Sequence, residues 1–151
     1  METMTTLRED TVKGVAKLVR MNRDAAGGFS EAAEKVDCPH CRGVFNDAAN
    51  ERRRFEHELV SALQISDEDI PDGGTALGAF HHAWMGLRST LNGGDPKAIV
   101  SEAIRGESSL KDSYEDVLKD TAGSPLNAVL QRQVNSVNTT IHSLESIKDK
   151  G

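Results

Sequence analysis

The sequence predicts an all-α fold: four long amphipathic helices, with an additional short helix in the connection between the second and the third. Three observations carry this. Apolar residues recur at three- and four-residue steps over long stretches, no stretch alternates strictly between apolar and polar, and the prolines and paired glycines fall between the periodic stretches.

The first stripe runs through Val12, Val15, Val19, Ala26, Phe29, Ala33 and Val36, which predicts a helix over about 7–36. Pro39 ends it, because proline disfavours helical geometry in the residue before it and suits the first turn of a new helix. The second helix, about 40–65, carries Phe45, Ala48, Arg52, Phe55, Leu59 and Ala62, with Leu63 alongside. It stops before Ser66-Asp67-Glu68-Asp69 and Pro71-Asp72-Gly73-Gly74. Thr75 caps a shorter helix, about 75–91, with Phe80, Trp84, Leu87 and Leu91, closed by Asn92-Gly93-Gly94. Asp95-Pro96 opens the next, about 96–121, through Ile99, Ala103, Glu107, Leu110, Tyr114 and Val117. Ser124-Pro125 opens the last, about 125–148, through Leu126, Leu130, Val134, Val137, Ile141 and Leu144. The third helix has the length and position to cross between two antiparallel hairpins, and a plain five-helix up-and-down bundle is the alternative.

At 151 residues, 37% hydrophobic and 28% charged, the whole chain, 1–151, reads as one domain. A net charge of −6 argues against nucleic acid or an anionic membrane as partner. The apolar runs are a few residues long where a span needs roughly 20, and the N-terminus lacks a basic-then-apolar signal, so a cytoplasmic protein is expected. The two cysteines sit together in Cys38-Pro39-His40-Cys41, unlike the spread cysteines of a secreted disulfide scaffold.

A family likeness rests on Gly28-Phe29 with Ala32-Ala33-Glu34, then Arg52-x-x-Phe55-x-x-Glu58-Leu59, Gly78-Ala79-Phe80-His81-x-Ala83-Trp84-Met85-x-Leu87, Gly93-Gly94-Asp95 and Arg105-Gly106-Glu107. Together these resemble the bacterial ferritin-like family known as domain of unknown function 2383, over nearly the whole chain. The Trp84 and Gly93-Gly94-Asp95 segment is the most specific part, the final helix matches loosely, and the Cys38 to Cys41 turn departs from the pattern. The resemblance implies a ferritin-like four-helix bundle and brings no established activity.

Di-iron bundles of that fold use one carboxylate from each of two helices and a Glu-x-x-His pair from each of the other two. Here the pairs read Arg54-x-x-His57 and Thr139-x-x-His142, so both glutamates are missing, and the first stripe offers Asn22, with Asp24 and Glu31 off it. No cofactor is assigned; iron or zinc would be the metal, and Glu107, Glu34, Glu58, His142 and His57 are the candidate ligands for a degenerate site. The stripes instead put Arg52 and Glu107 at core positions, close to Asn22 and Gln133. The expectation is a structural polar layer of Arg52, Glu107 and Asn22, built on an Arg52–Glu107 ion pair in the volume metals fill in di-iron proteins. His81 and His82 read as boundary residues beside Trp84, and Trp84, Phe80, Phe29 and Phe55 as core aromatics.

Cys38 and Cys41 are the candidate catalytic residues. A cysteine just before Pro39 lies at a helix N-terminus, where the dipole favours the thiolate. The tetrapeptide resembles the active site of oxidising thioredoxin-fold proteins, but the strand and cis-proline loop of that site are not visible in this sequence. All-helical Cys-x-x-Cys peroxidases need a histidine where this chain has Phe45, and zinc lacks two of its four ligands. A plain exposed turn, reversible thiol chemistry and metal capture stay open. Three functions follow: an interaction or assembly protein, a thiol redox protein or sensor, and a degenerate metal-binding bundle. By analogy with the fold class, a homo-oligomer, a dimer, is expected.

Overall fold

The computed structural model describes residues 9–63, 80–82, 84 and 95–150. Outside turns, these residues are helical, with no strand among them: α1 spans Glu9–Lys35, α2 Pro39–Leu63, α3 Pro96–Asp120 and α4 Leu126–Lys150. Phe80–His82 and Trp84 are also helical. The remainder of the predicted short helix and its glycine stop lie outside the described residues.

Each boundary has a local cause. At α3, the Asp95 carboxylate accepts the Lys97 N–H at 3.0 Å and Pro96 fills the first turn, where its missing N–H has no partner to lose. Between α3 and α4, Gly123 adopts φ 82°, which side chains disfavour. Ser124 Oγ then accepts the Leu126 N–H at 3.2 Å, capping α4.

The most extensive contacts are α1 with α2 and α3 with α4, and α1–α3 and α2–α4 contacts close the ring. Thr11 Oγ1 donates to the Asp120 carbonyl, so the start of α1 meets the end of α3 and the two run antiparallel. Glu58 meets Arg132 while Arg52 meets Thr140, which makes α2 and α4 antiparallel. Arg52 meets Glu107, and Cys41 shares a pocket with Val100, so α2 and α3 run parallel. The connection between them therefore starts at one end of the molecule and finishes at the other.

The α3 and α4 stripes are buried at every predicted position. In α2 the inward residue of the last turn is Leu63, with Ala62 only half-buried. The α1 face is wider than its predicted stripe, adding Ala16, Leu18, Met21, Ala25 and Ala32, because α1 packs on two helices and on Trp84. The Trp84 indole lies against Gly28 of α1 and Gly106 of α3, where a Cβ on either glycine would overlap the ring. Phe29 packs edge-on to it at 5.1 Å and Phe80 at 6.0 Å between ring centres.

Candidate functional site

Three helices carry polar residues spaced seven apart, two turns of helix: the half-buried Glu51 and Glu58 on α2, the buried Glu107 and Tyr114 on α3, and the buried Gln133 and half-buried Thr140 on α4. They form two clusters, one above the other.

The upper cluster is centred on Arg52, whose side chain is wholly buried. Its Nε donates to Glu107 Oε1 at 3.2 Å and its Nη2 to Glu107 Oε2 at 2.7 Å, a bidentate fork. Nη2 also donates to Thr140 Oγ1 at 3.1 Å, and Nη1 to Glu51 Oε1 at 2.8 Å. Thr140 spends its own proton on the Ser136 carbonyl, so its lone pairs are free for Arg52. The Phe55 ring lies 5.1 Å from the guanidinium carbon. Burial pushes the Glu107 carboxyl up, and Arg52 pulls it back down only in part. Burial opposes the charge on Arg52, but Glu107 and then Glu51 outweigh it and hold the guanidinium protonated.

The lower cluster runs across all four helices. Arg132 and Gln133 both donate to Glu58, the latter from Nε2 at 2.7 Å. That fixes the Gln133 amide with Oε1 inward, where it accepts the Tyr114 hydroxyl at 2.6 Å. The hydroxyl oxygen in turn accepts Asn22 Nδ2 at 2.9 Å, and Nδ2 also donates to the Leu18 carbonyl. Glu58 thus sets the direction of every proton in the chain. Asn22 Oδ1 is left without a partner among the described residues. The Arg132 hydrogen bond holds the Glu58 carboxyl below its ordinary value, and burial pushes the Tyr114 phenol well above its own.

Within the expected polar layer, Asn22 hydrogen-bonds to Tyr114 and the Leu18 carbonyl rather than to Arg52 or Glu107. The reason is direction: α1 and α3 are antiparallel, and Asn22 falls opposite the second inward position of α3. Tyr114 reads in the sequence as one more apolar stripe residue, and Glu51 and Thr140 escape notice altogether. The seven-residue step from Glu107 is the signal that would have found Tyr114.

The candidate metal ligands are scattered. Glu34, His57 and His142 are exposed, Glu58 is occupied by Arg132 and Gln133, and Glu107 by Arg52. Among the described residues no three His, Cys, Asp or Glu side chains group as ligands. His81 is exposed, 3.7 Å from Asp24, and His82 is exposed.

The Cys38 to Cys41 segment is the start of α2. Cys38 caps the helix, its sulfur accepting the Cys41 N–H at 3.2 Å while its carbonyl accepts the Arg42 N–H. Both thiols are free, Cys38 half-exposed and Cys41 buried, so the turn is exposed on one side only. The neighbouring Cys41 thiol, and then the Cys41 N–H at 3.2 Å from the sulfur, lower the Cys38 pKa, with Arg42 adding to the effect. Burial, then the contact with Cys38, pushes Cys41 up to about 11. Both line a pocket of about 430 Å³ at the end of the bundle, between the starts of α2 and α3 and the end of α4.

Among the described residues no helix is long and apolar enough to cross a membrane. No curated protein and no solved structure matches the chain. A family model does, that of the domain of unknown function DUF2383, over residues 10–120, which takes in Gly28, Arg52, Trp84, Gly106 and Glu107 and leaves α4 outside. The chain belongs to the DUF2383 family.

Proposed function

We propose that this chain is a ferritin-like four-helix bundle with a crossover segment around Trp84, and that it serves as a non-enzymatic interaction and assembly protein, a homodimer, in the bacterial cytoplasm. The ring of contacts supports the fold: α1 meets α3 and α2 meets α4 directly, so the four long helices surround one core, into which Phe80 and Trp84 of the crossover segment insert. A connection from one end of the bundle to the other is also what that topology requires.

One observation carries the functional reading, the buried fork between Arg52 and Glu107. The di-metal site of ferritin-like proteins needs converging carboxylates and imidazoles. The residues here do not fit it: a guanidinium is hydrogen-bonded to both Glu107 oxygens, and His57 and His142 are exposed. A core that neutralises itself in this way supports a scaffold rather than a metal catalyst.

Equilibrium dialysis against Fe(II) and Zn(II), on a Cys38→Ser/Cys41→Ser variant to silence the thiols, is expected to show no stoichiometric metal, and sedimentation to show a dimer. Metal bound in proportion to protein and lost in Glu107→Gln would overturn the reading, as would a monomer at all concentrations.

A further inference from the structure

We propose that Cys38 and Cys41 form a thiol–disulfide exchange site, with Cys38 the attacking thiol, Cys41 the resolving thiol, and a small, carboxylate-bearing disulfide as substrate. The buried polar clusters of the core take no part in it.

The geometry divides the labour between the two sulfurs. Cys38 is the half-exposed one and opens on the pocket, so a substrate disulfide reaches it first. Cys41 lies one helical turn inward, its side chain buried and its backbone N–H donating to the Cys38 sulfur at 3.2 Å. It borders the same pocket but is far less exposed than Cys38, and it sits one turn from the sulfur it must attack. The capping N–H of Cys41 and the first turn of a 25-residue helix stabilise negative charge on Cys38.

The pocket suits an organic disulfide. Val100 and Ile147 give it an apolar wall. Lys97 and Lys148 line it against a single carboxylate, Asp95, which already caps α3 through the Lys97 N–H. The excess positive charge favours a substrate carrying carboxylates.

The steps balance. The Cys38 thiolate attacks one sulfur of R–S–S–R, the S–S bond breaks, and R–S⁻ leaves and takes up a proton. Cys38 is now joined to S–R. Cys41 loses its proton to water, attacks the Cys38 sulfur, and expels the second R–S⁻. The substrate is reduced by two electrons to two thiols, and the two protein thiols are oxidised to one Cys38–Cys41 disulfide. The same steps run backwards when R–SH is in excess.

The probe is oxidised glutathione, followed by mass spectrometry of the intact full-length chain. Wild type is expected to lose two hydrogens and carry no adduct. Cys41→Ser is expected to accumulate one glutathione adduct on residue 38, and Cys38→Ser to react far more slowly. Far-UV circular dichroism of both variants confirms the fold, and the wild-type rate is compared with that of the chain unfolded in urea. An adduct on Cys41 in wild type, or a folded rate no faster than the unfolded one, would overturn the proposal. With Lys97→Gln/Lys148→Gln, the rate with glutathione disulfide is expected to fall severalfold while that with neutral 2-hydroxyethyl disulfide holds. Equal falls, or none, would overturn the substrate class.

Discussion

Arg52 and Glu107, on two parallel helices, are both wholly buried and meet through two hydrogen bonds. Removing one partner leaves the other charge buried with less compensation, whereas removing both removes the desolvation cost as well. Arg52→Met and Glu107→Leu are each expected to lose about 3–5 kcal/mol, and the double variant to return to within about 1 kcal/mol of wild type. Urea unfolding at neutral pH measures all four corners of the cycle. Additive losses would show that the two side chains do not act as a pair.

The Trp84 indole occupies the space that Gly28 and Gly106 leave open. Alanine in a helix is ordinarily the better residue, by about 0.5–1 kcal/mol over glycine. At Gly28 or Gly106 the new methyl overlaps the ring, so the sign reverses, with a loss of about 1–3 kcal/mol. Gly43 is the control, since nothing lies within 4 Å of its would-be Cβ, and Gly43→Ala is expected to stabilise. Trp84 is the chain's single tryptophan, so a red-shifted, more quenchable emission in Gly28→Ala and Gly106→Ala reports its displacement.

Tyr114 is the chain's single tyrosine, and burial raises its pKa above the ordinary 10.0. A raised folded-state pKa means that the folded chain holds the proton more tightly than the unfolded one. The associated stability is complete below pH 10 and is lost as pH rises from there toward the folded value. Phenolate absorbance is therefore expected to appear together with unfolding rather than at pH 10; ionisation near 10 with the helices intact would contradict the burial. Tyr114→Phe removes the partner of Gln133 Oε1 and one partner of Asn22, and is expected to cost about 1–3 kcal/mol.

The amino-acid sequence by itself determined the four long helices and most of their inward faces. Helix ends follow from local chemistry, as at Pro39, Asp95-Pro96 and Gly123-Ser124, and faces follow from the 3.6-residue turn, so the inward positions of Arg52 and Glu107 are legible without a structure. Only the tertiary structure decided how polar residues on different helices combine. Asn22 pairs with Tyr114 rather than Arg52, and Gln133 is oriented by Glu58, because helix direction and axial offset fix which layers face each other. Nothing local encodes that offset. The same holds for the cysteines: their spacing is plain in the sequence, whereas the burial of one sulfur, the exposure of the other and the pocket beside them arise only when α3 and α4 pack against the start of α2.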